Sequence, residues 1–592
     1  MADVTTNTDI RFDPSEKPPL PLTIGMGLQL ALLSIGGVVL TPAIIIRSAL
    51  GDGANEYLAW AVFAAVVVCG ISTILQALGK FRVGAGYILL MGTSGAFIGV
   101  CIGALVKGGP ATMANLIIVS ALMQLLFAAK LARFRRVLTP TVTGTVIMLI
   151  AVTVMPILFD MMEPVTDPGA SSTDADPTGF VLSAGTVLVI TLLLAMKARG
   201  IIRLWAPMIG VAAGTIVALF FGMYDTQSVA DANWVGFPTT GWPGIDLSFG
   251  PVFWALLPAF IFVTMIGAIE TVGDSIAIQQ ISWRTPRASD HRTVQGALSA
   301  DGVGNLLSGL VGTIPNTTYS SSVSMVELTG VTSRVVGVAL GIIFLFLALI
   351  PKFLALVLAI PAPVVGAFIM VLIAMLFMLG MKIVVQSGID YRNGLICGIS
   401  FWIGSGLQSG AIYPEFVSSI AAGTFENGMV GGGLVAILLT LVSEFAFKTR
   451  KRMVVDLDIG SLPEINSFVK KFSTTHSWSD DFTIQVEGAA EEALLILCNQ
   501  VETAEEKGLL QLMIKAESEQ AVLEFIAADS KENLQDRIAL MGSDFSGPDL
   551  EREVSLRMLK HLTTSVQHER YHGTDIITLE VRKSTSNRHG SI

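Results

Sequence analysis

Residues Asp301–Arg334 read DGVGNLLSGLVGTIPNTTYSSSVSMVELTGVTSR, and this stretch decides how the chain must fold. It opens on a carboxylate inside an apolar run and passes through spaced glycines to Ile314-Pro315-Asn316-Thr317-Thr318-Tyr319. Ser320-Ser321-Ser322 follow, and then a short helical segment ending at Ser333-Arg334. A proline followed by a run of polar side chains is tolerated at membrane depth only where the backbone is buried in protein or lines a cavity. The stretch therefore reads as a broken membrane helix that forms half of a binding site.

The surrounding composition agrees with a membrane setting. Of 592 residues, 52% are hydrophobic and 14% charged, and the mean hydropathy is +0.67. These values belong to a polytopic membrane protein rather than a globular enzyme. Acids and bases are sparse up to about Phe447, and beyond it the chain reads as a soluble acidic domain. The net charge of −10 comes with no basic stripe interleaved with aromatics, which argues against a nucleic-acid partner. Cys69, Cys101 and Cys397 lie in apolar runs and Cys498 in the soluble part, so no disulfide framework is expected. All six histidines fall outside the apolar runs, which removes the commonest ligand for an intramembrane metal. The segment up to Pro21 lacks the basic and small-residue features of a signal peptide.

Spanning the bilayer takes about 20 apolar residues. Such runs are expected near 22–46, 56–78, 84–106, 111–130, 140–158, 179–196 and 202–222. A second set falls near 251–275, 293–312, 319–333, 334–350, 358–380, 393–409 and 428–447. Lys80, Arg82, Lys130, Arg133, Arg135, Arg136, Lys197, Arg199, Arg203, Arg284, Arg287, Arg292, Arg334, Lys382, Arg392 and Lys448 follow even-numbered runs or the last one. Asp52, Asp160, Glu163, Asp167, Asp174, Asp176, Asp225 and Asp231 occupy the alternate loops, with Arg47, Lys107 and Lys352 as exceptions. The positive-inside rule then places both termini in the cytoplasm. Fourteen spans divide into two sevens of opposite orientation, and the two irregular runs are the third of each half. Corresponding Gly/Pro-interrupted segments in inverted halves point to a transporter's binding site.

Four acids stand out. Glu270, in FVTMIGAIETVGDS, lies well inside an apolar run. A charge there costs about 2.5–3.5 kcal/mol on insertion scales, so it is expected to face a cavity or a partner. Asp274 shares its helix face one turn on. Asp301 is expected at the start of the ninth span, as a proton relay or a structural hydrogen-bonding group. Glu327, three residues before Gly330, reads as a helix-end residue. In the first half, Val83-Gly84-Ala85-Gly86-Tyr87 leads to Met91-Gly92-Thr93-Ser94-Gly95-Ala96-Phe97. Two broken strands meeting at mid-membrane would aim helix N-termini at a small polar ligand, with Ser94 and Ser322 at the helix starts. The expected substrate contacts are Thr93, Ser94 and Gly95 from the first break, Thr318, Tyr319, Ser320, Ser321 and Ser322 from the second, and Glu270. Proton coupling is expected of Glu270 and Asp301.

At these residues the chain resembles the nucleobase–cation symporter-2 family, also called nucleobase–ascorbate transporters, the xanthine and uracil permeases. The resemblance covers about 20–447. It rests on Gly27-Leu28-Gln29, Gly84 to Phe97, Pro140-Thr141-Val142-Thr143-Gly144-Thr145, Glu270 to Asp274 and Ala300-Asp301-Gly302. It continues through Pro315 to Tyr319, Thr329 to Arg334 and Ile360-Pro361-Ala362-Pro363-Val364. It implies an all-α membrane domain of fourteen spans in two inverted repeats, with a core moving against a gate and short broken strands in spans three and ten. It further implies proton- or sodium-coupled uptake of a nucleobase, usually by a homodimer, with no cofactor beyond the coupling ion. Glu270 would be the substrate-binding acid and Asp301 the acid of span nine. Where the family usually carries Gln or Glu, then Asn, any residue and Gly, this chain has Ser321, Ser322, Val323 and Ser324. The histidine usual in the first span is replaced by Leu30, and an aromatic by Gly95. Smaller residues at these points imply a roomier pocket with fewer direct contacts.

The expected division is 1–21 as a cytoplasmic tail, 22–447 as the transporter and 448–592 as a cytoplasmic α+β domain. In the last, Phe482–Val486, Leu509–Ala516, Ala521–Ala528 and Asp575–Val581 read as strands, and Ala489–Ala504 and Glu551–Thr564 as helices. Glu553 to Leu559 and Tyr571 to Thr578 resemble the last helix and strand of anti-sigma-type histidine-kinase ATPase folds. Glu491 to Asn499 has no asparagine four residues after an acid, and no Asp-x-Gly-x-Gly loop follows, so a regulatory or dimer-contacting module is expected rather than an ATPase. The function expected is secondary active transport of a purine such as xanthine or urate, not enzymatic catalysis. The alternatives are a nucleobase-sensing receptor signalling through its tail, and a sulfate-type anion transporter of the same architecture.

Overall fold

The computed structural model describes residues 10–51, 55–134, 139–163, 177–246, 248–285, 287–386, 388, 390–415, 427–446, 450–498, 508–516, 520–527, 533–535 and 550–583. Of the loop charges named above, Asp52, Arg135, Arg136, Asp167, Asp174, Asp176 and Lys448 lie outside these residues, as do 499–504 of the expected tail helix and the 447/448 boundary. The chain divides into two compact units, one holding residues 9–282 and 293–441 and the other including 283–292 and 442 onward.

The larger unit is built from helices. They are α1 (Leu20–Leu50), α2 (Asn55–Leu78), α3 (Ile98–Ala129), α4 (Pro140–Met162), α5 (Pro177–Lys197), α6 (Ala206–Phe220) and α7 (Pro251–Ile281). They continue with α8 (His291–Val311), α9 (Ser321–Thr329), α10 (Arg334–Ala348), α11 (Pro351–Leu358), α12 (Ala362–Gln386), α13 (Tyr391–Gln408) and α14 (Gly428–Ala446). By length and composition, seven helices among the described residues can cross a membrane, or eight if α10 and α11, bent by 86°, count as one. The kink that separates the third expected run from the fourth lies inside α3 at Gly109, whose φ of 75° favours glycine, just before Pro110, which cannot donate a backbone hydrogen bond. α11 was not expected from the sequence, because only the apolar Leu349 and Ile350 separate it from α10 and Pro351 is its own first residue.

The helices pack as two groups. In one, α1, α2 and α10 pack together and α3 packs on α7; a Cβ on Gly341 would stand 2.5 Å from the Gly70 carbonyl. In the other, α4, α5, α6, α12 and α13 pack together, and a Cβ on Gly380 would stand 2.7 Å from the Gly144 carbonyl. Small residues at such crossings let backbones approach, which is how membrane helices gain packing energy.

Between α2 and α3 lies strand β1 (Met91–Thr93), and between α8 and α9 lies β2 (Asn316–Thr318). They pair antiparallel, Met91 with Thr318, Gly92 with Thr317 and Thr93 with Asn316. The pairing extends outward, since Ser94 N–H donates to the Pro315 carbonyl (2.9 Å) and Tyr319 N–H to the Leu90 carbonyl (2.8 Å). The two breaks read from the sequence thus satisfy each other's backbone groups. α9 ends at Gly330 in the left-handed conformation (φ 66°). There the N-terminal segment meets it: Arg11 and Phe12 N–H groups both donate to the Gly330 carbonyl, and Thr332 N–H donates to the Phe12 carbonyl. Residues 10–16, part of the expected tail 1–21, are therefore bound to the end of the broken span.

The smaller unit contains a five-stranded antiparallel sheet in the order β3-β4-β5-β7-β6, where β3 is Arg450–Asp456, β4 Leu509–Ala516, β5 Gln520–Ala527, β6 Ser565–Tyr571 and β7 Thr574–Arg582. α15 (Leu462–Thr475), α16 (Asp480–Cys498) and α17 (Leu550–Leu562) accompany it. Val469, Phe472, Val486, Leu512, Phe525 and Leu579 are among its buried core. The expected strand Phe482–Val486 is instead the first part of α16. Phe482, Val486, Ala489, Ala490 and Ala493 are buried on one helical face, and that packing outweighs the β-branched local signal. β3, α15 and β6 were not expected. Within this unit the ring of His291 lies 5.0 Å from that of Tyr571.

Candidate functional site

Long α7 carries Glu270 and Asp274 one turn apart. The structure gives the two acids different surroundings. Asp274 is 7% exposed; its carboxyl oxygens accept hydrogen bonds from Thr318 Oγ1 (2.7 Å) and Ser320 Oγ (2.6 Å). It thereby fastens the strand-to-helix turn of the second break to α7. Glu270 is half-buried, and among the described residues its carboxylate accepts no hydrogen bond. It lines a cavity of about 410 Å³.

That cavity is bounded by both breaks. Thr93 and Gly95 come from the first, Thr317, Tyr319, Ser320 and Ser321 from the second, and Ser34, Gly37 and Thr41 from α1. The opposite wall is apolar: Phe368, Ile369, Leu372 and Ile373 of α12 and Met208 of α6. Among the described lining residues Glu270 is the one charged group. Tyr319 braces the floor. Its hydroxyl donates to the Thr93 carbonyl (2.8 Å), and its ring occupies the space a Cβ on Gly92 would need. Thr93 Oγ1 donates in turn to the Gly37 carbonyl (2.9 Å).

Six of the nine residues expected to touch substrate thus line the cavity: Glu270, Thr93, Gly95, Tyr319, Ser320 and Ser321. Ser94, Thr318 and Ser322 do not. Ser94 is 1% exposed beside the strand pair, and Thr318 is committed to Asp274. Ser322 Oγ donates to the Tyr319 carbonyl (2.9 Å) and accepts from Leu90 N–H (3.3 Å), tying the two breaks together. Ser320, not Ser322, stands at the N-cap of α9. Thr317 was missed, because in a three-residue strand the inward face is legible only once the register is known.

Asp301 lies mid-helix in α8 rather than at the start of a span, and it does not line the cavity. It is 1% exposed and accepts hydrogen bonds from Thr271 Oγ1 (2.8 Å), Gln124 Nε2 (2.9 Å) and Asn305 Nδ2 (3.3 Å). The network continues from Asn305 Oδ1 to Asn316 N–H (2.7 Å), and so reaches β2. Thr271 adjoins Glu270 in the chain, which makes Asp301 a brace behind the acid's helix. Glu327 lies near the C-terminal end of α9. Among the described residues no group of three or more His, Cys, Asp or Glu side chains is placed to hold a metal ion.

The arrangement is one carboxylate without a hydrogen-bond partner among the described residues, set among hydroxyls and backed by an apolar wall. It suits a small planar molecule that offers N–H donors on one edge and an apolar face. The profile described as Permease family matches residues 22–412. A Clostridium perfringens protein whose purine permease name is itself an inference is 30% identical over 448 residues, covering 74% of this chain and 94% of that protein. Xanthine permease XanP of Escherichia coli is 28% identical over 452 residues, 74% of this chain and 95% of its own. Uric acid permease PucK of Bacillus subtilis is 28% identical over 417 residues, 70% and 94%. Among solved structures, the murine Slc26a9 anion transporter in the inward-facing state superposes with a TM-score of 0.50 at 14% identity, covering 75% of this chain and 71% of that one; at that identity the likeness is one of fold alone. A multi-pass chain matched by the Permease profile over most of its length, and by named permeases over nearly theirs, belongs to the xanthine/uracil permease family.

Proposed function

We propose that the protein carries a purine nucleobase across the cell membrane, with xanthine and urate the first substrates to test, and that uptake is coupled to protons or sodium. The observation that carries this reading is Glu270: a carboxyl group with no hydrogen-bond partner among the described residues, on the wall of a cavity between two broken membrane segments. An unsatisfied acid at this depth is costly unless it serves a ligand or a proton. Glu270 is taken as the group that accepts the base's ring N–H, with hydroxyls of the two breaks around it. Asp301 is taken as a brace that can share in proton movement through Thr271. The names of the permease relatives support the substrate class.

The same proposal includes fourteen spans in two inverted halves, both termini in the cytoplasm, and a homodimer. The grouping of α1, α2 and α10, with α3 on α7, apart from α4, α5, α6, α12 and α13, supports a core moving against a gate. The smaller unit is taken as a regulatory or dimer-contacting module. The sulfate-type alternative draws on the shared Slc26a9 fold, but an anion site wants a cation, and the one charged lining residue among those described is an acid. The test is a thermal-shift panel of purines, pyrimidines, urate and ascorbate on purified protein, followed by uptake of whichever binds. Stabilisation by a purine is expected; a panel in which none binds would sink the reading.

A further inference from the structure

Strand β2 sorts its polar side chains by the period of two that any strand imposes. Asn316 and Thr318 face the helices behind it and donate hydrogen bonds there, although the Asn316 Oδ1 has no partner among the described residues. Asn316 Nδ2 donates to Ser72 Oγ (3.1 Å), and Thr318 Oγ1 donates to Asp274 (2.7 Å). Thr317, between them, belongs to the cavity wall with Tyr319. Tyr319 uses its hydroxyl on the Thr93 carbonyl. The Thr317 hydroxyl has no hydrogen-bond partner among the described residues, although the residue is only 3% exposed.

Several buried threonines elsewhere in the chain avoid this situation, whereas Thr264 of α7, away from the cavity lining, shares it. Thr145 Oγ1 donates to the Thr141 carbonyl, Thr440 Oγ1 to the Ala436 carbonyl, and Thr313 Oγ1 to the Ala61 carbonyl. An orphaned buried hydroxyl is a standing cost, and such costs persist in native proteins where something outside the chain relieves them. Ser321, the first residue of α9, is a second lining residue whose hydroxyl has no partner among the described residues. Glu270 completes the set of unmatched groups on this wall, and it can accept hydrogen bonds where the hydroxyls can donate them.

We propose that Thr317 is a specificity-determining residue: its hydroxyl donates to a lone pair on the bound base, a ring nitrogen or an exocyclic carbonyl, while Glu270 accepts an N–H from the same molecule. This rests on the nucleobase reading and deepens it. The substrate class is a heterocycle that presents a donor and an acceptor together, so removing one acceptor should be felt through Thr317. A neutral hydrogen bond of this kind corresponds to about 3–10-fold in affinity.

The experiment measures binding of the best-bound purine, and of its analogues in which one ring nitrogen at a time is replaced by C–H, to the full-length wild type, Thr317→Val and Thr317→Ser. In wild type one analogue is expected to bind about 3–10-fold more weakly than the parent base. In Thr317→Val, which exchanges the hydroxyl for a methyl at nearly constant volume, the parent base weakens to the level of that analogue and the discrimination disappears. Thr317→Ser retains it. Should Thr317→Val not give folded protein, Thr317→Ala removes the hydroxyl without added bulk and is read the same way. Full discrimination in the hydroxyl-free variant overturns the proposal while leaving the nucleobase reading intact. Wild-type protein that binds no base overturns that reading, and the proposal with it.

Discussion

Asp274 offers a perturbation whose size can be worked out beforehand. Its two oxygens hold Thr318 and Ser320, the residues on either side of Tyr319, and so set the geometry of the second break. Asp274→Ala removes both acceptors. Thr318 is fully buried and keeps only a long contact to Thr271 Oγ1 (3.5 Å), so its hydroxyl is nearly orphaned, at about 1–3 kcal/mol. Ser320 lies at the cavity wall, where water can replace the lost partner, and costs about 0.5–1 kcal/mol. The sum is about 1.5–4 kcal/mol, a large share of a typical folding free energy but short of unfolding most proteins. Asp274→Asn keeps one carbonyl acceptor and should cost about half as much. The assay is a double-mutant cycle on purified protein, reading thermal stability and base affinity for Asp274→Ala, Thr318→Val and the double variant. Thr318→Val removes the hydroxyl that Asp274→Ala would orphan, so the double variant should be less damaged than the sum of the singles by about 1–2 kcal/mol. Strict additivity would refute the claim that Asp274 acts by holding this turn.

Three other outcomes are expected. Deleting residues 1–17 removes the Arg11 and Phe12 donors from the Gly330 carbonyl and should lower thermal stability; an unchanged melting temperature would show that the segment only rests on α9. Gly380→Leu should cost about 1–3 kcal/mol or more, because its Cβ meets the Gly144 carbonyl. Gly99→Ala, with nothing within 4 Å of the added carbon, should be neutral; equal melting temperatures for the pair would contradict the packing argument. Removing 456–592 should leave uptake measurable, as for a transporter with an accessory module, whereas loss of uptake with membrane insertion intact would favour the receptor reading.

Much of this architecture is legible in the sequence because the bilayer penalises exceptions. Pro315 and the hydroxyls after it cannot lie in an ordinary span, and Gly84 to Phe97 is their counterpart. Glu270 stands out for the same reason. What was not legible depends on register and on tertiary partners. The facing of Thr317 inward, and of Thr318 away, follows only from Gly92 standing opposite Thr317. Ser322 was read as a ligand contact because helix starts attract serine, yet its hydroxyl links the two breaks. Asp301 at the start of a span disagrees with the run expected near 293–312, and α8 (His291–Val311) agrees with the run in putting it midway. The Phe482–Val486 reading failed because a five-residue alternation is also compatible with an amphipathic helix once a sheet is there to cover one face.

The central claim is that Glu270 serves the substrate and not the fold, and Glu270→Gln tests it most directly. Because the carboxyl group accepts no hydrogen bond among the described residues, the amide should leave the stability of the unliganded protein within about 0.5 kcal/mol of wild type. Membrane insertion should also be unchanged, while purine binding and uptake are lost. Uptake at the wild-type rate and matched expression would contradict the account and remove Glu270 from the mechanism.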